Sequence, residues 1–360
     1  MEVPCVRAPR EEGEATRQRL ADADLIDDEY ELTVDDGSLY IPITDPDAIP
    51  AEFEVVSRTL EERDTQTSPT DLLGFEPTYE RLGRAALLDE DDDERAREIA
   101  DAIVASDLPL ETVLNKASKV KGETRVRDWE LLAGANTEVV HREYGCEFLL
   151  DLAEVYFSPR LATERNRVVE QVGSEARSAS ENASGQRQRA ADEHVFDMFA
   201  GVGPFVIPIA KRGAECVGVD VNPDAIDYLR ENARRNGVED RVTAICDDVR
   251  NLVAGSSRER CECDGVREVA PEYEGWADRV VMNLPHSADE FLEAAVTVAG
   301  DDCVLHYYDI QHEDDPFGPG ERAIREAAEP AYDVSVETER VVRSYAPHEL
   351  NVCLDVRLER

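Results

Sequence analysis

The chain has 360 residues, of which 42% are hydrophobic, and carries 81 acidic against 39 basic side chains, a formal net charge of -42. That length points to two or three domains, and the apolar fraction suffices for a sizeable core, which excludes wholesale disorder despite the charge. No stretch approaches the roughly 18 apolar residues needed to cross a bilayer, and the opening MEVPCVRAPREEGE lacks the apolar middle of a signal peptide, so a cytoplasmic protein without a membrane partner is expected.

Residues 1 to about 66 read as a small α+β unit, in which Tyr30 to Val34 and Ser38 to Ile43 have strand period across the turn Asp35-Asp36-Gly37. Thr65 to Thr70 is polar and contains Pro69, as a linker would. From Pro77 to Leu110 the pattern predicts helix, with the acidic run Asp89 to Glu94 as a solvated helix start. Glu138 to His141 and Cys146 to Leu152 then read as strands. Residues 173–193 are polar and low in complexity, the signature of a loop insertion.

Beyond the insertion, strand and helix alternate. Strands are expected at His194 to Met198, Glu215 to Asp220, Val242 to Cys246, Arg279 to Met282 and Cys303 to Ile310, with helices running to Lys211, from Pro223 to Asn236 and from Ala288 to Val298. Val334 to Val342 and Leu350 to Leu358 follow one another without a helix, so they should pair antiparallel. The fold class is therefore α/β: a mostly parallel seven-stranded sheet of the class I, Rossmann-like methyltransferase kind, preceded by smaller α+β units. Eight cysteines are scattered with no Cys-x-x-Cys pair, so free thiols and no metal site are expected.

The segment from Asp197 to Phe205, DMFAGVGPF, follows an apolar strand and opens a helix. A dinucleotide loop would want a third glycine where Val206 stands, which weakens a pyrophosphate reading. Gly201 and Gly203 still leave room for an adenosyl group and its amino-acid tail, beside Asp197 and Phe199. Asp220, ending the second strand, can accept two ribose hydroxyls, and Asp248, after the third, can take an adenine amino group. Singly, such acids are more often helix caps. In this order at successive strand ends they point to S-adenosylmethionine. The fourth strand ends in Asn283-Leu-Pro285-His286, close to the Asn-Pro-Pro-Tyr with which many amino-group methyltransferases hold a base edge, but without the second proline and the stacking tyrosine.

YFSPRLATER (Tyr156 to Arg165), DMFAGVGPF, VMNLP (Val281 to Pro285), LHYY (Leu305 to Tyr308) and SYAP (Ser344 to Pro347) together resemble the archaeal tRNA (guanine-37-N1)-methyltransferases. The resemblance implies a tRNA-recognition domain over 1–66, a connecting, RNA-binding domain over 67–160 and the cofactor domain over 161–360. It also implies methyl transfer from S-adenosylmethionine to N1 of guanosine 37 by a monomer. Glu164 is implied as general base. A guanidinium in KGETRVR, Arg125 or in a shifted register Arg127, would stabilise charge on O6. Asn283 would hold the base edge and also border the cofactor, Pro285 would stiffen that loop on the substrate side, and Tyr156, Arg160 and Lys121 would meet the tRNA. By spacing alone, Arg160 and Glu164 read as a helix-surface ion pair, a reading that the family resemblance reverses. Mg²⁺ is compatible with this chemistry but not legible.

Rival readings are aminocarboxypropyl transfer in wybutosine-type tRNA synthesis, a second methylation of the imidazopurine, and a non-catalytic RNA-binding scaffold. Only four of the 39 basic residues are lysines, and acids are spread over every segment, as in proteins of concentrated salt. Against that background Lys116, Lys119, Lys121, Arg125 and Arg127 form a lone basic cluster, suited to phosphate.

Overall fold

Asp36 and Gly37 have φ of 47° and 73°, the left-handed pair that closes a two-residue hairpin and that Asp-Gly tolerates. The structure, a computed structural model, describes residues 2–63, 66–118, 122, 126–173, 193–253, 273–329 and 331–360. Residues 1–74 with 106–108 make one compact unit, and residues 75–105 with 109–360 a second. The first contains β1 (Glu2–Pro9), α1 (Gly13–Asp22), β2 (Thr33–Asp35), β3 (Ser38–Pro42), β4 (Glu54–Thr59) and α2 (Pro69–Leu73). Its antiparallel sheet has the order β2-β3-β1-β4. Because side chains alternate along β1, Val3 and Cys5 pack with Tyr40 and Leu60 on one face, and Val6 packs with Leu20, Ile41 and Ile43 on the other. Ser68 and Asp71 form a reciprocal capping box that starts α2 inside the expected linker.

In the second unit the expected helix is broken up by strands. The stretch expected to be helical over Pro77 to Leu110 holds two strands, β5 (Glu80–Leu82) and β6 (Ala85–Leu88), before α3 (Asp93–Ala105). All four residues of β6 are buried, and a short apolar run lacks the alternation that tells strand from helix. With β7 (Thr112–Lys116) and β8 (Trp129–Ala133) they make a sheet of order β5-β6-β7-β8, β6 and β7 being parallel across the α3 crossover. β9 (Glu138–Glu143) and β10 (Cys146–Asp151) form a hairpin where strands were expected, and α4 (Ala162–Gln171) follows the YFSP segment.

The remaining elements are β11 (His194–Asp197), α5 (Val206–Arg212), β12 (Glu215–Asp220), α6 (Pro223–Arg235), β13 (Val242–Cys246), α7 (Val249–Val253), β14 (Ala277–Met282), α8 (Leu292–Val298), β15 (Ala299–His312), α9 (Gly318–Ala328), β16 (Asp333–Ala346) and β17 (Glu349–Glu359). Their seven-stranded sheet has the order β13-β12-β11-β14-β15-β17-β16, parallel up to β15 and antiparallel thereafter. Apolar side chains cover both faces, Val195, Cys216 and Ile207 on one, Phe196, Val217 and Leu305 on the other. This continuous apolar character is what a parallel sheet sandwiched by helices needs.

β15, β16 and β17 are longer than their sequence patterns indicate, and register shifts interrupt β16 between Val341 and Arg343 and between Ser344 and Ala346. Such bulges turn side chains out of the regular alternation. The six described cysteines are free thiols, and no helix among the described residues is long and apolar enough to cross a membrane.

Candidate functional site

The two glycines of the loop after β11 do different work. A Cβ on Gly201 (φ 52°) would meet nothing within 4 Å, so this backbone is open to a ligand, and its N–H donates to Asp220 Oδ2 at 2.8 Å. A Cβ on Gly203 (φ 92°) would lie 2.5 Å from Leu229 Cδ1 and 2.9 Å from Ile207 Cγ1. Gly203, expected beside the cofactor, instead lets α5 and α6 close beneath the loop. Asp197 is likewise held under the loop, 1% exposed: Oδ1 accepts from Phe199 N at 3.2 Å, and Oδ2 is buried without a partner. Burial first, and the nearby Asp220 charge, push its carboxyl up to about 7 against the Phe199 hydrogen bond.

A cavity of about 530 Å³ opens along the carboxyl ends of the parallel strands, within the roughly 300–1,000 Å³ of small-molecule sites and at the place α/β sheets bind ligands. Strand order sets its lining in sequence across the sheet: Asp248 after β13, Asp220 at β12, Phe199 and Gly201 after β11, Asn283 and Pro285 after β14, Ile310 on β15, Asn351 on β17, and Arg343 and Tyr345 on β16. Tyr156 and Arg165 complete the wall, as does Gly122 of the KGETRVR segment. Asp220 is buried, which raises its carboxyl, while backbone N–H groups of Asn222 and Gly201 oppose the rise. Arg250 grips the Asp248 carboxylate, at 2.5 Å from Oδ2, and holds it below the usual range. The open backbone at Gly201 beside an acceptor carboxylate fits the ribose and amino-acid ends of S-adenosylmethionine. Across the same cavity, the Asn283–Pro285 loop fits a base edge.

Glu164 does not line this cavity, although Leu161 and Arg165 beside it do. It is 4% exposed. Oε1 accepts from Arg167 Nη2 at 2.7 Å and from the Tyr308 hydroxyl at 3.0 Å, and Oε2 lies 3.0 Å from Nε of Arg340, a half-exposed side chain of β16. Behind Glu164 the contacts continue inward. Arg167 bridges to Asp355, which accepts from Gln171 Nε2 at 3.1 Å and pairs with His306 Nδ1 at 2.6 Å. Arg279 closes the chain, with Nη1 2.7 Å from His306 Nε2 and Nε 2.7 Å from Glu193 Oε1. Among the described residues, His306, Cys353 and Asp355 are the grouping with metal-ligand chemistry. Arg167 and Arg279 press on it from both sides, so it is an ion-pair network and offers no cation site.

A second cavity, of about 190 Å³, shares Tyr156, Phe157, Ser158, Arg343 and Tyr345 with the first and adds Lys116, Arg127, Trp129 and Arg160. The sequence candidates thus divide. Tyr156 meets both cavities and Asn283, Pro285, Phe199, Gly201, Asp220 and Asp248 the larger one, whereas Arg127 and Arg160 meet the smaller. Arg125 and Lys121, with Lys119 and nearly all of the 173–193 insertion, lie outside the described residues. Sequence reading missed Arg343, Asn351 and the inner pair Arg167–Asp355. A signal existed for the pair, since Asp355 is a lone carboxylate at a buried position of the apolar strand NVCLDVRLE. For Arg343 none existed, because the β16 bulges leave no mark on the hydrophobic pattern.

Comparison with known proteins follows this geometry. A profile described as the TRM5/TYW2 methyltransferase domain matches residues 139–337, the tRNA methyltransferase 5 N-terminal domain matches residues 5–51, and the TYW2 N-terminal domain matches residues 65–137. The chain is 38% identical to a tRNA (guanine(37)-N(1))-methyltransferase Trm5b of Pyrococcus abyssi, over 98% of both chains. It is 33% identical to a tRNA(Phe) (4-demethylwyosine(37)-C(7)) aminocarboxypropyltransferase of Pyrococcus horikoshii, over 71% of this chain and 80% of that one. Among solved structures, the complex of aTrm5 and tRNALeu aligns with a TM-score of 0.70 at 30% identity, covering 99% of each chain.

Proposed function

Since the chain belongs to the TRM5/TYW2 methyltransferase family, we propose that it transfers a methyl group from S-adenosylmethionine to N1 of guanosine 37 in tRNA. The observation that carries this reading is correspondence along the whole length. The Pyrococcus abyssi relative named for that activity covers 98% of this chain, against 71% and 78% for two relatives named for aminocarboxypropyl transfer, and residues 5–51 match the N-terminal domain of the former type.

When bound, S-adenosylmethionine supplies an electrophilic methyl group. Gly201 and Asp220 would hold its adenosyl and amino-acid parts, with Phe199 and Asp248 toward the adenine and Asp197 supporting the loop from below. Asn283 and Pro285 hold the edge of a base flipped into the cavity. N1 of guanine can carry a transferred methyl group as a neutral base only after losing its proton, and Glu164 is the carboxylate we assign to take it. Arg340 has to swing away from Oε2 for that proton to arrive. The guanidinium that steadies charge on O6 is Arg125 or, in the other register, Arg127. Tyr156, Arg160 and Lys121 meet the RNA. Residues 1–66 serve as the tRNA-recognition domain, 67–160 as the connecting domain and 161–360 as the catalytic one. We take the enzyme to be a cytoplasmic monomer of a salt-rich cell.

The test is a methyl-transfer assay at high KCl with unmodified tRNA transcripts carrying G or A at position 37, followed by nucleoside mass spectrometry. N1-methylguanosine from the G37 transcript alone is the expected product. Cofactor binding with no methyl transfer would refute the assignment, and a product heavier by an aminocarboxypropyl group would replace it.

A further inference from the structure

The larger cavity ends, on its β16 side, at a wall it shares with the smaller one. Arg343 and Tyr345 stand in that wall together with Tyr156. Both β16 residues are turned there by the bulges that flank them. The smaller cavity therefore adjoins the part of the site that takes the target base, and at about 190 Å³ it can admit one further flat ring.

Its lining is unusual for a chain of net charge -42. Trp129 offers a fixed face, since its indole Nε1 donates to Leu152 O at 2.8 Å and the Arg127 guanidinium lies 5.5 Å from its ring centroid. Tyr156 and Tyr345 are each 41% exposed. Of the four cations, Arg160 is paired with Glu80, and Lys116 with Asp89 at 2.8 Å. Arg127 and Arg343 have no carboxylate within ion-pair distance among the described residues. Uncompensated guanidiniums interleaved with aromatic faces are how single-stranded nucleic acid is held, base on ring and phosphate on arginine.

We propose that the smaller cavity receives the nucleotide next to the methylation target, and that Arg343, in the shared wall, binds the phosphodiester joining the two. The proposal rests on the proposed function, in which the substrate is tRNA that receives its methyl group at position 37. Two linked nucleotides in two adjoining cavities must pass their common phosphate through the wall between them, and Arg343 is the unpaired cation there. It acts as a substrate-binding residue: it holds the flipped base at depth by holding its backbone.

The experiment pairs a protein change with a change in the RNA. tRNA is assembled with a neutral methylphosphonate at the 36/37 linkage or at the 37/38 linkage. Affinity and single-turnover methylation are then measured for the wild-type chain and for Arg343→Gln, at the lowest KCl at which both stay folded. With wild type, one of the two neutral linkages is expected to cost on the order of ten-fold in affinity. Arg343→Gln should lose about as much on native tRNA and nothing more on that modified tRNA. Its cofactor affinity should be unchanged and its salt slope smaller by about one, effects a loss of folding would not mimic. Equal losses from the neutral linkage with and without Arg343 overturn the proposal. So does a wild-type enzyme indifferent to both linkages, a result that needs no variant. Absence of any methylation of native tRNA would instead strike the function on which the proposal rests.

Discussion

His306 and Asp355 face each other across the β15–β17 pairing with Nδ1 2.6 Å from Oδ1, and neither has contact with solvent worth more than 2% exposure. Arg279, whose Nη1 lies 2.7 Å from the other ring nitrogen, can only donate, so Nε2 accepts and the proton sits on Nδ1. Burial first, then the Arg279 and Arg167 charges, hold the imidazole below its usual range against the pull of Asp355. The unfolded chain takes up a proton at this histidine below pH about 6.5 that the folded chain refuses. Stability from this group is therefore lost as pH falls through that value. His306→Gln should flatten the difference between acid and neutral stability, read by denaturant unfolding from pH 5 to 7.5; an unchanged slope would show that His306 is protonated in the fold.

Asp355 compensates the Arg167 cation and accepts the N–H of the neutral His306. Burial alone would raise its carboxyl, and the bonds from His306 and Arg167 outweigh burial and hold it far below the usual carboxylate range. Removing one partner of a buried pair strands the other charge. Asp355→Ala should cost about 3–5 kcal/mol in unfolding free energy, whereas Arg230→Ala, at an exposed pair with Asp227, should cost less than about 1.

Asp197 gives the opposite pH dependence. Holding its carboxyl at about 7 against an ordinary 3.8 means that ionising it in place costs about 4 kcal/mol. The folded state is favoured while the group is protonated, and that advantage is lost as pH rises through 7. Asp197→Asn should therefore gain on wild type steadily between pH 4 and 7 in a thermal-shift series. A constant offset across that range would mean that Asp197 already pairs with a donor.

Much of this architecture was legible. The mostly parallel sheet with its antiparallel last pair, the hairpin at Asp36-Gly37 and the acids at the ends of β12 and β13 follow from alternation, turn chemistry and strand-end position. What was not legible has a common cause, that it depends on distant parts of the chain. β6 reads as helix because an all-buried Ala-Ala-Leu-Leu run has no period of its own, and its strand character comes from pairing with β7. The separation of Gly201 from Gly203 depends on Leu229, far along the sequence. Arg167 and Asp355 are 188 positions apart, and local pattern cannot join them.

The two loop glycines should consequently fail in different assays. Gly203→Ala drives a methyl group into Leu229 and Ile207 at a left-handed φ, so melting temperature should drop by many degrees. Gly201→Ala meets open space and pays only the left-handed strain of roughly 1–2 kcal/mol. Its defect should appear in S-adenosylmethionine affinity by calorimetry. Equal affinity in Gly201→Ala and wild type would remove this backbone from the cofactor site.

Glu164 and Arg340 supply the sharpest test of the assigned chemistry. A carboxylate gripped by Arg167, Tyr308 and Arg340 offers no free oxygen to an incoming proton until one donor leaves, and Arg340 is the partner with a route out, its side chain being 44% exposed. Glu164→Gln keeps the hydrogen-bond acceptor at Oε1 but cannot take a proton, so single-turnover methyl transfer should fall by about 10²- to 10⁴-fold with cofactor affinity retained. Arg340→Gln takes away the guanidinium that Oε2 must shed before the proton arrives. Single-turnover methyl transfer by Arg340→Gln at saturating tRNA should therefore match or exceed wild type, against the loss in Glu164→Gln. Were Glu164→Gln to keep the wild-type rate, Glu164 would not take the proton, which would have to leave N1 by another path.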